Sequence, residues 1–413
     1  MYRQIEECRI CNDRRLDLLL ELGNLALTGV FPHHPDEVLT SGPLTLVRCA
    51  NCGLVQLFHS YNRSELYGAH YGYRSSINGM MTKHLQSKAE TLMKKVNLTA
   101  ADIIVDIGSN DGTFLSSFSG KNLNLIGFDP SAAEWRYLYP KDSKLVADFF
   151  SADIYRVELN SRKAKIVTSI AMFCDLERPL DFVLEVANIL ADDGIWHLEQ
   201  SYLPSMLKMN AYDTICHEHL EYYTLKQIQW MANKAGLKIL DVEFNDVNGG
   251  SFAVTLSKQK SRFQQNTSSI HESLQNEIHG GFDTTKPFTP FRDHLFSHKH
   301  ELIKTLETIG SRGETVLGYG ASTKGNVILQ FAGIKRDLLP AIAEVNEDKF
   351  GCFTPGTHIP IISEKEAHLM KPNYFLVFPW HFREGIIQKE TSYLRSGGKL
   401  IFPLPQVEIV TNP

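Results

Sequence analysis

Short apolar runs alternate with longer amphipathic stretches over most of the chain. IIVDIG (103–108), LIGFDP (125–130), AKIVTSI (164–170), GIWHLEQ (194–200) and SFAVTLS (251–257) have the continuous apolar character of buried strands, while MMTKHLQSKAETLMKKV (80–96) spaces its apolar positions as a helix does. The alternation returns after residue 300 in TVLGYGAS, AIAEVNE, YFLVFPW and KLIFPLP. Between the two blocks, KQKSRFQQNTSSIHESLQNEIHGG (258–281) is polar and reads as a linker containing a helix. The opening region differs again: it is turn-rich, punctuated by cysteines and closed by the tyrosine-rich LYGAHYGYRSS. The pattern predicts an α/β protein in three parts. These are a small stapled domain over residues 1–79, a central Rossmann-like domain over 80–258, and a second, smaller Rossmann-like α/β unit over 259–413.

A chain of 413 residues exceeds what one hydrophobic core supports, which agrees with several domains. Its 42 Lys and Arg against 47 Asp and Glu leave a net charge of −5, too mild and mixed for a nucleic-acid footprint. No segment approaches a membrane span, and MYRQIEECRICNDRR lacks the apolar stretch of a signal peptide, so the expected location is the cytoplasm. There the seven cysteines point to metal ligation rather than to a disulfide framework.

Four of those cysteines form two CxxC pairs, Cys8/Cys11 and Cys49/Cys52. Each turn presents two thiolates to one ion, and two such turns make the closed four-sulfur site that zinc fills. With every position taken by protein, the ion serves folding and not chemistry. A redox dithiol and four unrelated buried cysteines are the alternatives.

VDIGSNDGTFL (105–115) carries an apolar strand ending in Asp106 through Gly108, Asn110 and Gly112 into a helical pattern. Such a loop suits a nucleoside lying across strand ends, but equally a dinucleotide or a bare turn. The following run, LIGFDPS, places Asp129 at the end of the next strand, where an acid can accept both ribose hydroxyls. The GxNxG spacing after Asp106 resembles the first motif of class I methyltransferases, which implies S-adenosylmethionine. Asp148 and Phe149, after a further strand, are candidates to border the adenine.

The densest group of ionisable side chains is TICHEHLEYYTL (214–225), with His217, Glu218, His219, Tyr222 and Tyr223. Histidine titrates where a general base works, so the cluster reads as a proton-transfer site, or else as a helix start with solvated charges. At this point the order CxxC, CxxC, tyrosine-rich segment, VDIGSNDGTFL, GFDPS, HEHLEYY, NGGSF, GYGASTKGN and PGTHIPI closely resembles the three-domain, zinc-binding sugar C-methyltransferases, and the resemblance spans nearly the whole chain. It implies a class I methyltransferase fold in the centre and methylation at carbon 3 of a nucleotide-linked 4-keto-6-deoxy sugar. His219 would be the base at C3, flanked by Glu218 and His217, with Tyr73 or Tyr71 contacting the sugar. Two positions depart from the family's pattern: Cys216 stands where a tyrosine is expected, and Asp175 stands near an expected histidine.

GYGASTKGN (318–326) follows a strand and opens a helix, an arrangement that offers backbone N–H groups to a diphosphate. The resemblance implies that this C-terminal unit receives the sugar nucleotide, with Tyr222, Lys324, Glu344, His358 and Trp380 as candidate contacts. The expected partner is that nucleotide-diphosphate sugar, bound by a monomer. An NAD-linked sugar oxidoreductase and a non-catalytic sugar-nucleotide sensor are the alternative functions.

Overall fold

The structure is a computed structural model that describes residues 2–67 and 73–411. At the N-terminus, β1 (Tyr2–Gln4) pairs with β5 (His59–Tyr61), while β2 (Leu16–Ala26), β3 (Ser41–Cys49) and β4 (Val55–Leu57) form an antiparallel meander. The two long strands β2 and β3 replace much of what the sequence presents as turns. Leu20 on β2, Leu44 and Leu46 on β3 and Val55 on β4 contribute to the local core.

The central sheet has seven strands: β6 (Ile103–Ile107), β7 (Asn124–Phe128), β8 (Ser143–Val146), β9 (Ala164–Ile170), β10 (Leu190–Ser201), β12 (Leu237–Asn245) and β13 (Ser251–Lys258). Their spatial order is β12-β13-β10-β9-β6-β7-β8, parallel from β10 to β8, with β13 antiparallel to both β10 and β12. All five residues of β6 are buried, as a central parallel strand covered on both faces requires. The helix Gly79–Lys95 packs over the sheet through Met81, Leu85, Ala89 and Leu92, a stripe at helical spacing. Its start is fixed by Asn78, whose side chain accepts from the amides of Met80 and Met81.

One strand leaves this domain. β11 (Glu221–Tyr222) pairs antiparallel with β4, so the sheet of the N-terminal region has the order β11-β4-β3-β2. Buried Arg9 secures the junction: its guanidinium donates to the Leu57 carbonyl at 2.6 Å and lies 3.6 Å from Glu221.

The polar stretch after β13 forms two helices, Thr267–His279 and Phe288–Ser311. The second buries Phe288, Phe291, Leu295, His298, Leu302, Leu306 and Ile309 along one face. A third sheet follows, with β14 (Val316–Tyr319), β15 (Ile342–Glu344), β16 (Ile361–Ser363), β17 (Tyr374–Val377), β18 (Lys399–Phe402) and β19 (Glu408–Val410) in the order β16-β15-β14-β17-β18-β19. Only β19 is antiparallel, which makes this a second Rossmann-like unit. The N-terminal sheet also touches the helix Thr323–Ala332 of the C-terminal unit. Ala26 and Gln330 exchange hydrogen bonds of 2.8 and 3.2 Å, and Asn326 donates to the Thr28 carbonyl at 2.7 Å.

Candidate active site

The two CxxC turns meet. Cys8 and Cys52 sulfurs lie 3.5 Å apart, Cys11 and Cys49 sulfurs 3.4 Å, and all four are within 4.8 Å of one another. A tetrahedral zinc–thiolate site needs sulfur–sulfur edges of about 3.8 Å, so the donor set fits with a small expansion. Both turns have the same build: the amide of Asn12 donates to the Cys8 carbonyl and that of Gly53 to the Cys49 carbonyl, with Asn12 and Gly53 at positive φ. The thiol of Cys8 is held well below the usual range by its hydrogen bond from Cys52.

In the central domain, a cleft enclosing about 1320 Å³, mouth included, opens at the carboxyl ends of β6, β7, β9 and β10. Gly108 (φ 74°) and Gly112 (φ 78°) turn the loop after β6, each in a conformation that other residues adopt only under strain. Asp129 braces this loop by accepting from the Asn110 amide at 2.9 Å and from the Ser131 amide at 2.8 Å. Asp106 beneath it is buried; burial pushes its carboxyl up to about 7, against the hydrogen bond from Thr168. The loop also holds the chain entering from the N-terminal region, since Asn110 accepts from the Ser75 amide and Asp111 from the Ser76 amide, both at 2.9 Å. Gly108, Asn110, Asp129 and Phe149 all stand on the cleft wall. The Asp148 carboxylate turns instead to the Phe149 amide, and its residue is exposed. Tyr73 lies half-exposed at the cleft rim, and Tyr71 lies outside the described residues.

The HEHLEYY segment is where the three sheets converge. His219 accepts no proton from its neighbour at Nδ1: the partner there is the Thr214 carbonyl, 2.8 Å away, which can only accept. Nδ1 therefore carries the hydrogen, and the neutral ring keeps its lone pair on Nε2. Burial, with Lys324 nearby, lowers its pKa to about 4, so the ring is neutral at physiological pH. Cys174, Asp175 and His219 bring a sulfur, a carboxyl oxygen and a ring nitrogen within 4.8 Å of one another, and Asp175 lines the cofactor cleft. Burial pushes the Asp175 carboxyl up to about 8.

Glu218 points toward the N-terminal region, where Thr28 donates to it at 3.2 Å, and a Cβ at Gly29 would stand only 2.3 Å from its other oxygen. Burial raises its pKa as well. His217 is fully buried edge-on against Tyr61, 4.6 Å between ring centres, away from the cleft. Tyr222 is buried in the core with its hydroxyl 3.5 Å from the Thr214 carbonyl.

From the C-terminal unit, Lys324 donates to the Asn248 carbonyl at 2.7 Å and Trp380 donates to Asp213 at 2.8 Å. Ser322 caps the helix Thr323–Ala332 through the Gly325 amide. Glu344 spends one carboxylate oxygen on the amides of Val345 and Asn346, and His358 is exposed with φ 54°.

Sequence reasoning missed several cleft residues. Glu199 is held ionised near 2: burial alone would raise it, but the hydrogen bond from His84 and the charge of Lys88 prevail. Arg63, Phe150 and Gln200 also line the wall. None belongs to a local motif; Gln200 and Glu199 close an apolar strand pattern, and only their polarity at a strand's carboxyl end could have signalled them.

A glycine loop, an acid after the next strand and a seven-stranded sheet with one antiparallel member define a class I, S-adenosylmethionine-dependent methyltransferase. Three family models match this chain in tandem: a zinc binding domain over residues 8–67, a methyltransferase domain over 80–242, and a C-methyltransferase C-terminal domain over 246–405. Together the three matches run from residue 8 to residue 405. It is similar to the C-methyltransferase NovU of Streptomyces niveus, with 29% identity across 99% of this chain and 98% of that protein. A carboxy-S-adenosyl-L-methionine synthase of Nautilia profundicola is 27% identical over 27% of this chain and 50% of its own length. Among solved structures, an O-methyltransferase from neocarzinostatin biosynthesis in complex with S-adenosyl-L-homocysteine is matched with TM-score 0.33 and 16% identity, over 43% of this chain and 56% of that one. No described helix is long and apolar enough to cross a membrane.

Proposed function

We propose that this C-methyltransferase acts on carbon 3 of a nucleotide-linked 4-keto-6-deoxy sugar, with His219 as the base and zinc in the four-cysteine site. The observation that carries the reading is the tautomer of His219: its hydrogen is committed to Thr214, which leaves a free lone pair on the other ring nitrogen, and the ring stands in one group with Asp175 on the cofactor cleft. An oxygen or nitrogen acceptor already holds the lone pair that attacks the methyl, so a base there only removes a heteroatom proton and need not create the nucleophile. Carbon beside a ketone must first lose a proton, and the ketone makes that loss feasible by delocalising the charge onto oxygen.

His219 takes the C3 proton at Nε2. Asp175, protonated at neutral pH, donates a hydrogen bond to the enolate oxygen as charge develops there, the role for which a neutral buried carboxyl is suited. Bound S-adenosylmethionine supplies an electrophilic methyl carried on a sulfonium. Asp129 and the Gly108–Gly112 loop hold its nucleoside, and the half-buried setting of His219 and Asp175 limits the access of water to the enolate. Lys324, at the start of a capped helix facing the segment, supports a diphosphate seat on the C-terminal unit.

Two outcomes follow. Asp129→Ala is expected to weaken S-adenosylhomocysteine binding by roughly 10- to 100-fold, the worth of one or two hydrogen bonds to a charged acceptor; isothermal titration calorimetry measures it, and an unchanged affinity would remove Asp129 from the ribose. The rate of methyl transfer should also be bell-shaped in pH. His219 loses its base function as it protonates below about 4, and Asp175 loses its proton above about 8. Asp175→Asn, which keeps a donor that does not titrate, should abolish the alkaline fall; a variant that retains it would show that the fall comes from another group.

A further inference from the structure

Gln200 is 2% exposed, and neither its amide oxygen nor its amide nitrogen has a hydrogen-bond partner. Burying a primary amide without partners is unfavourable, so a side chain in this state calls for an explanation. It lies on the wall of the cofactor cleft. Its neighbours along β10 are by contrast engaged: Glu199 is held by His84, Lys88 and Asn245, and His197 bonds Thr255 at 3.0 Å.

We propose that Gln200 is the specificity-determining residue that seats the methyl acceptor, its amide N–H donating to a carbonyl oxygen and its amide oxygen accepting from the adjacent hydroxyl. The position supports the acceptor rather than the cofactor. Asp106 lies near the end of β6 and Asp129 follows β7, whereas β10 lies beyond β9 on the other side of β6. Two residues after Gln200, Tyr202 bridges to Tyr223 in the HEHLEYY segment, so the end of β10 leads from the cleft to the segment that carries the base. A carboxamide presents one donor and one acceptor side by side, the complement of a ketone flanked by a hydroxyl. A site built this way rejects analogues that lack either group, because its own buried polar atoms would then stay unpaired. The inference rests on the reading of the acceptor as a polar keto compound.

Gln200→Leu, close in volume and without polar atoms, separates the roles. In the ligand-free protein the variant is expected to melt at the wild-type temperature or higher, since it removes unpaired buried atoms; a fall of several degrees would overturn the proposal by showing a structural role. Its affinity for S-adenosylhomocysteine, measured by calorimetry, should stay within about twofold of wild type, and a tenfold loss would assign Gln200 to the cofactor instead. With a 4-keto-6-deoxy sugar nucleotide, kcat/KM should fall about 100-fold, while wild-type turnover would sink the assignment. A wild-type enzyme that turns over no keto sugar would defeat the proposed function, and the melting and calorimetric results would still decide the place of Gln200.

Discussion

His219→Asn is expected to slow methyl transfer by a factor on the order of 10² to 10⁴, the usual contribution of a positioned general base. Asparagine can still donate to the Thr214 carbonyl, so the backbone turn should survive, but no side-chain lone pair of comparable basicity remains for the C3 proton. Binding of S-adenosylhomocysteine should persist, because His219 stands outside the walls of the cofactor cleft. The two measurements together distinguish lost chemistry from lost folding. Near-normal turnover in this variant would transfer the base to another group.

The second large effect concerns the four cysteines. Cys49→Ser is expected to lower the melting temperature by roughly 10 °C or more and to remove the bound zinc, since a structural zinc site supplies folding free energy directly. The loss should reach the active site. β4 follows Cys49 and Cys52 closely and carries β11, which belongs to the segment holding His217, Glu218 and His219. Thr28, on the same N-terminal region, also contacts Glu218. Methyl transfer should therefore fall along with stability, although the metal has no open coordination position for catalysis. Metal analysis and differential scanning calorimetry test this; a variant with wild-type melting and no metal in either protein would contradict it.

Much of this architecture was legible because its signals are local. The paired cysteines converge as two matching turns, the loop from Asp106 to Gly112 takes the positive-φ conformations its glycines announce, and the apolar runs form the central strands. What escaped is non-local. β11 is two residues long and has no pattern of its own; its partner strand lies far back in the chain and is supplied by another sheet. The long strands β2 and β3 were obscured by Gly23, Gly42 and Pro43, and the register of β2 slips twice along β3. β12 was hidden for a related reason: LKILDVEFN mixes buried and half-exposed positions at a sheet edge, and a register shift interrupts its pairing with β13.

The site shows the same division. Asp129 and His219 could be picked out by motif, but Glu199 and Gln200 end an apolar strand, and their importance emerges only when β10 is laid beside the cleft. His217 illustrates the converse. Adjacent to two residues at the convergence of the sheets, it faces away from the cleft into a core beside Tyr61, where the chain turns at His217 and Glu218.

The most direct test of the central claim is proton exchange at C3. Incubating the enzyme with a 4-keto-6-deoxy sugar nucleotide in heavy water, first without and then with S-adenosylmethionine, and reading the products by NMR and mass spectrometry, follows the step assigned to His219. Deuterium is expected at C3 before any methyl donor is added, and a methyl group on that carbon afterwards; methyl transfer to a hydroxyl oxygen, with C3 keeping its hydrogen, would remove His219 as the base at C3.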